Sequence, residues 1–241
     1  MPLLADKVAV VTGATRGIGR AIARAIVDAG GRVVVSARNT ADVRDTARAL
    51  DERAGREAAL GIVCDVRRHD DCRRLIAGAI TGFGRIDILI NNAGVGVFGP
   101  VESFDPGAWD DLVATNLSGM FYCAREAIPH LRQAGDGWII NIGSLAGKNA
   151  FPNGAAYNAS KFGLIGFSEA LMQEVRHDGI RVSYVMPGSV ATGFVSGSPA
   201  VGDDWKIAPE DVAQVVTDLL AFPSRSLPSR IELRPSRPPR K

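Results

Sequence analysis

Six apolar, β-branched runs recur along this chain, at residues 7–12, 32–37, 59–64, 86–91, 138–143 and 180–186, and helical periodicity fills the segments between them. Strands alternating with helices make βαβ units, whose parallel strands need helices on both faces to bury them. The expected fold class is therefore α/β, a doubly wound parallel sheet of about seven strands, with Arg230-Ile-Glu-Leu-Arg234 as the seventh. The third helix is the clearest: Cys72, Leu75, Ile76, Ala79, Ile80 and Phe83 repeat at i, i+3, i+4 and i+7 and share one buried face. A second helix is expected over 40–54, Pro106 fits a helix start, and Pro129 fits a helix end. No Pro/Gly/Ser-rich linker divides the 241 residues, so 1–241 reads as one unit. From Pro187 to Ile207 the periodicity lapses into Gly, Ser, Pro and Asp. Residues 188–207 are expected to form a lid over the carboxyl end of the sheet, where such folds bind ligands. A last helix starts near Pro209.

The first strand runs straight into Thr12-Gly-Ala-Thr-Arg-Gly-Ile-Gly19 and then an amphipathic helix with Ile18, Ile22, Ala25 and Ile26 on one face. Glycines at 13, 17 and 19 let backbone amides approach a pyrophosphate at the helix N-terminus, whose dipole favours anions. The second strand ends Ser36-Ala37-Arg38, where NAD-specific folds place an acid for the ribose 2′-hydroxyl. With no carboxylate there, Arg38, helped by Arg16, is placed to grip the 2′-phosphate of NADP through charge-assisted hydrogen bonds; the alternative is that both are solvated surface groups. Asn91-Asn-Ala-Gly94 closes the fourth strand with small residues that leave room for a cofactor.

Tyr157 and Lys161 lie four residues apart, one helical turn, and so share a face. A tyrosine that exchanges a proton near pH 7 needs its ordinary pKa of about 10 lowered by roughly 3 units, and a nearby positive charge is the usual means. Ser144 ends the run Trp138-Ile-Ile-Asn-Ile142, at the carboxyl tip of a strand, where its hydroxyl can hydrogen-bond a substrate oxygen. The three read as an acid/base site for a carbonyl or alcohol.

Composition narrows the partners. With 28 basic and 26 acidic residues the net charge is only +2, so no electrostatic partner is implied. The basic tail, 235–241, is interleaved with prolines and lacks aromatics, so it reads as solvated rather than as a nucleic-acid patch. Cys64, Cys72 and Cys123 fit neither a disulfide framework nor a zinc site and suit a reducing cytoplasm. His69, His130 and His177 have no companions at metal-ligand spacing, so no metal site is expected. The opening residues run straight into the first strand and there is no 18-residue apolar run, so neither a signal peptide nor membrane insertion is expected.

Taken in order, Thr12-Gly13-x-x-x-Gly17-x-Gly19, Asp65, Asn91-Asn-Ala-Gly94, Asn116, Ser144, Tyr157-x-x-x-Lys161 and Pro187-Gly188 with Thr192 resemble the short-chain dehydrogenase/reductase family over nearly the whole length. The resemblance implies a Rossmann fold, an NADP cofactor and Tyr157 as general acid/base. Ser144 would orient the substrate oxygen, Lys161 lower the Tyr157 pKa and hold the nicotinamide ribose, and Asn116 hold a relay water, although Asn116 read alone equally suits a helix cap. Cofactor contacts would come from Gly13, Thr15, Arg16, Gly17, Ile18, Gly19, Arg38, Asp65, Val66, Asn91, Ala93, Gly94, Tyr157, Lys161, Pro187, Gly188, Val190 and Thr192. Candidate substrate residues are Val95, Phe98, Leu145, Asn153, Phe194 and Trp205, mostly apolar, and Trp205 equally suits packing of the loop.

The chain departs from the relatives that act on acyl-carrier-protein thioesters, which finish with a Gly-containing strand and a Gly-Gly pair. The expected function is therefore reduction of a small or medium apolar ketone or aldehyde with NADPH. A 3-oxoacyl-[acyl-carrier-protein] reductase is the alternative, and an NADP-binding sensor or scaffold the non-enzyme one. The helix from Leu117, with Phe121, Ala124, Ile128 and Leu131, and the helix of Lys161, with Phe162, Ile165 and Leu171, show more apolar surface than a sheet face absorbs. A homodimer or homotetramer in the cytoplasm is expected.

Overall fold

The computed structural model describes residues 2–192, 194 and 204–239. Valine-rich β1 (Val8–Thr12) and β2 (Arg32–Ala37) belong to a sheet that also holds β3 (Ala59–Val63), β4 (Ile88–Asn91), β5 (Gly137–Ile142), β6 (Ile180–Pro187) and β7 (Arg230–Leu233). All neighbours pair in parallel, in the order β3-β2-β1-β4-β5-β6-β7. Every residue of β1 is buried, as a strand covered on both faces requires.

The period-2 alternation of side chains divides the core in two. Ala9 and Val11 join one cluster with Ile22 and Ile26 of α1 (Gly17–Asp28) and Val212, Val216 and Leu219 of α7 (Pro209–Leu220). Val10 points the other way, into Leu75, Ile76 and Ala79 of α3 (His69–Phe83) and Ala124 and Leu131 of α5 (Gly119–Ala134). Each fully buried Ile or Leu contributes about 1.5–3 kcal/mol, so the two faces together fix the register of the whole sheet. The remaining helices are α2 (Thr40–Ala54), capped by Asn39, α4 (Pro106–Val113), capped by Asp105, and α6 (Ala155–Val175).

Two expectations change. Pro129 does not end a helix; it lies inside α5, which runs on to a left-handed cap at Gly135. Burial of Leu131 against the sheet outweighs the hydrogen bond that proline forfeits. On the faces expected to be in excess, Ala124, Leu131 and Leu171 are absorbed by the chain's own core, while Phe121 and Phe162 stay exposed. The three cysteines are free and buried. Among the described residues no helix is long and apolar enough to cross a membrane.

The chain leaves β1 toward β2 on one side and returns through β4 on the other, so a crevice opens between the carboxyl ends of β1 and β4.

Candidate active site

At the β1 end of this crevice, Thr12 Oγ1 accepts hydrogen bonds from the amides of Asn92 and Ala93, both at 3.0 Å, and Asn92 Nδ2 donates to the carbonyls of Thr12 and Gly13 at 2.9 and 3.0 Å. The glycine loop is thereby locked to the end of β4. Gly13 has φ +63°, and a Cβ on it would lie 2.9 Å from Ala93 Cα. A Cβ on Gly19 would strike the Gly13 carbonyl and the Asn92 amide, which is why helix and strand can close so tightly there. The resulting cradle of backbone amides at the start of α1 fits a pyrophosphate.

The cleft that begins at this cradle has a volume of about 1420 Å³, larger than the 300–1,000 Å³ or so of an ordinary ligand pocket and roomy enough for a dinucleotide and a substrate together. Gly13, Thr15, Arg16, Gly17 and Ile18 line one end, with Arg38, Asp65 and Val66 beside them. Arg16 and Arg38 are both exposed. Arg67 holds the Asp65 carboxyl below its ordinary range, through bonds of 2.6 and 3.0 Å, and reaches Asp111 at 2.6 Å as well. Ala93, Gly94 and Val95 continue the lining, and Pro187, Gly188, Val190 and Thr192 complete it. Asn91 is placed differently: its amide turns along the sheet, donating to Asn141 Oδ1 at 2.9 Å, and the neighbouring Asn92 is the one that lines the cleft.

At the other end, α6 carries Tyr157 and Lys161 against Ser144, which follows β5. Tyr157 is 9% exposed and Lys161 5%. The Lys161 ammonium donates to the Ile142 carbonyl at 3.2 Å and sits 5.8 Å from the centre of the Tyr157 ring. Burial raises the phenol above its ordinary pKa, and the hydrogen bond with Ser144 offsets this only in part. No lowering of the phenol by Lys161 accompanies this, and burial pulls the ammonium itself down to about 8.

Asn116 is not a helix cap. It lies in a π-helical turn, Ala114–Ser118, between α4 and α5, and is 2% exposed. Its Oδ1 accepts from the Val95 amide at 2.8 Å, and its Nδ2 donates to the Val95 carbonyl at 2.9 Å and to Ser160 Oγ at 3.1 Å. Beside it is a small cavity of about 10 Å³, lined also by Asn91, whose buried Oδ1 has no partner; the space is about that of one water.

Among the candidate substrate residues, Val95, Phe98, Leu145, Phe194 and Trp205 line the cleft. Asn153 is not among the lining residues; at φ +62° it takes a left-handed turn whose carbonyl accepts from the Gly99 amide at 2.8 Å. Part of the segment expected as a lid, 188–207, lies outside the described residues, namely 193 and 195–203; Val190 and Ile207 within it form a bridge. The described part of the tail is exposed apart from half-buried Pro235, and its Pro235, Pro238 and Pro239, with the preceding Arg234, line the cleft.

Among the residues that escaped the sequence reading, two stand out. Phe151 lines the cleft beside Phe98, at 5.8 Å between ring centres. Asn158, buried next to Tyr157, donates to the carbonyls of Ala146 at 2.6 Å and Asn149 at 3.3 Å and accepts from the Phe151 amide at 3.3 Å. It ties the segment after Ser144 to the helix of Tyr157. The only signal in the sequence was a polar residue directly after the tyrosine, and its burial emerges only in the structure.

With this geometry in place, the family model for short chain dehydrogenase matches residues 7–200. The chain belongs to the short-chain dehydrogenases. A metagenomic short-chain oxidoreductase, solved in complex with NADP, superposes with a TM-score of 0.85 at 40% identity, covering 97% of this chain and 99% of that one. An alcohol dehydrogenase from the archaeon Thermococcus sibiricus, complexed with 5-hydroxy-NADP, gives a TM-score of 0.90 at 26% identity, over 98% and 99% of the two chains. A Streptomyces coelicolor protein provisionally named a ketoacyl reductase is 38% identical over 88% of this chain and 82% of its own length. The protein is thus an oxidoreductase of this family with a Rossmann-like fold.

Proposed function

We propose that this short-chain dehydrogenase is an NADP(H)-dependent carbonyl reductase acting on small or medium apolar ketones or aldehydes. The observation that carries the reading is the convergence of Tyr157, Ser144 and Lys161 in one cleft with the glycine cradle and Arg38. A bound reduced nicotinamide supplies the hydride. Ser144 Oγ and Tyr157 Oη hold the substrate oxygen, and Tyr157 gives it a proton as charge develops. A phenol raised above its ordinary value is protonated at neutral pH, the form that reduction needs. Lys161 would hold the nicotinamide ribose, and the Asn116 cavity would pass a replacement proton. Lysine 161 brought down to about 8 can give up a proton near neutrality, which suits that relay.

For the cofactor, Arg38 and Arg16 with no acid at Ala37 favour NADP over NAD, in keeping with the NADP-bound relatives. A homodimer or homotetramer through the exposed Phe121 and Phe162, and a cytoplasmic setting for three free thiols, belong to the same reading, with no role for nucleic acid or membrane. The Streptomyces relative favours a second reading, reduction of a 3-oxoacyl group on a carrier protein.

The test is NADPH absorbance with a panel of ketones, aldehydes and quinones beside a β-ketoacyl thioester on its carrier. Turnover of free carbonyl compounds is expected; a clear kcat/KM preference for the carrier-bound thioester would establish the second reading, and no turnover of any of them would overturn both.

A further inference from the structure

Three phenylalanines surround the catalytic phenol with much of each ring uncovered: Phe98, Phe151 and Phe194 are 39%, 42% and 40% exposed. They form a row, with ring centres 5.8 Å apart for Phe151 and Phe98, 5.4 Å and edge-on for Phe98 and Tyr157, and 6.2 Å for Tyr157 and Phe194. A Cβ on Gly96 would lie 2.6 Å from the Phe194 ring and 3.4 Å from that of Phe98, so the glycine is what lets these two rings come together. Uncovered aromatic area inside a concave site favours an apolar guest, and ring edges and faces favour another ring over a saturated chain.

The tail adds a second apolar surface to the same cleft through Pro235, Pro238 and Pro239. Its path is anchored. The Gly188 amide donates to the Leu233 carbonyl at 2.8 Å, and Glu232 binds both Lys148, at 2.8 Å, and Arg234, at 2.7 Å, which hold its pKa down at about 2. Lys148 lies four residues beyond Ser144, so these ion pairs couple the start of the tail to the catalytic segment. A Cβ on Gly188 would meet Pro235 at 3.0 Å and Leu145 at 3.2 Å, so the first tail proline and the residue after Ser144 both pack beside Gly188.

We propose that residues 235–239 form part of the substrate pocket, and that this pocket, with its phenylalanine row, selects a carbonyl compound bearing an aromatic ring next to the C=O. The proposal rests on the carbonyl-reductase reading and names its substrate class. Hydride from NADPH adds to the carbonyl carbon, the π pair moves to oxygen, and Tyr157 supplies the proton; the ketone becomes an alcohol and NADPH becomes NADP⁺. The carbonyl oxygen lies at Tyr157 and Ser144 while the ring packs among Phe98, Phe151 and the tail prolines.

The experiment compares acetophenone with 2-octanone, which has the same number of carbons and no ring, in the full chain, in a chain ending at Arg234 and in Phe151→Ala. The full chain is expected to prefer acetophenone, and the ratio of the two kcat/KM values to fall about tenfold in each variant, mostly through KM, the size of one aromatic contact. NADPH affinity, followed by fluorescence, is expected to hold within about twofold. Preference of the full chain for 2-octanone, or an unchanged ratio in both variants, overturns the proposal. If neither ketone is reduced, the carbonyl-reductase reading fails separately and saturation-transfer NMR decides the pocket: acetophenone signal transferred by the full chain and lost in the variants supports it, equal or no transfer overturns it. A truncated chain without a cooperative thermal transition leaves the decision to Phe151→Ala, whose exposed side chain bears no part of the core.

Discussion

The glycine-loop end of the cleft presents mostly backbone, whereas the Tyr157 end presents buried side chains that are already hydrogen-bonded. Around Gly13 the side chains of Thr12 and Asn92 bond to main-chain groups of Thr12, Gly13, Asn92 and Ala93, and what matters for a ligand there is the absence of Cβ atoms. Around Tyr157 the polar side chains of Asn116, Asn158, Ser160 and Lys161 are all buried, each with a named partner. A site for binding a fixed anion needs preorganised amides; a site that moves a proton needs titratable groups whose surroundings are dry. The two ends should therefore fail independently, and mutants can test that.

The largest separation is expected from Tyr157→Phe. Loss of the proton donor should lower kcat by about 10²–10⁴, while NADPH titration by fluorescence should return an affinity within about twofold of the unmodified protein. Retention of more than about a tenth of the activity would remove Tyr157 from the acid/base role.

Arg38→Ala probes the opposite end. A charged hydrogen bond contributes about 1.5–3 kcal/mol, so NADPH should bind roughly 10- to 100-fold more weakly and NADH almost unchanged. Equal catalytic efficiency with both cofactors before mutation would contradict the assignment.

Asn158→Ala sharpens the comparison because the residue touches neither ligand site directly. It should lower kcat about tenfold by loosening the Ser144 segment relative to Tyr157, and reduce stability by about 1–3 kcal/mol for its lost buried bonds, with NADPH affinity retained. A fall in melting temperature with kcat unchanged would make Asn158 a structural tie alone.

The smallest effect is a pH slope. Lys161 titrates at about 8 in the fold and near 10.4 when unfolded, so between those values the unfolded chain holds more protons and stability should rise with pH. The slope is at most about 1.4 kcal/mol per pH unit from this group, and it ends above pH 10, where unfolded tyrosines ionise while Tyr157, raised by burial, does not. Measured by denaturant unfolding from pH 7 to 10, Lys161→Met should lose the rise; an identical profile would show that the ammonium is not desolvated.

Much of this was legible beforehand. The helix expected over 40–54 is found as Thr40–Ala54, and the strand expected near 230–234 as Arg230–Leu233, since both follow from local periodicity and turn chemistry. Pro129 misled because the rule for proline concerns one lost hydrogen bond, and the burial of Leu131 two residues later weighs more. Asn91 and Asn92 were not separable, because successive strand residues face opposite ways and only the pairing of Asn91 with Asn141, fifty positions on, shows which turns into the sheet.

By itself the sequence determined the parallel sheet, the glycine cradle at β1 and the shared helix face of Tyr157 and Lys161, because backbone hydrogen bonding imposes periods of 2 and 3.6 residues that apolar side chains must match. Only the tertiary structure decided that Asn116 braces Val95, that Asn158 braces the Ser144 segment, that burial governs both Tyr157 and Lys161, and that the tail prolines enter the cleft. Those are consequences of packing between segments distant in the chain, where desolvation and contact depend on what the fold brings alongside and no local period records it.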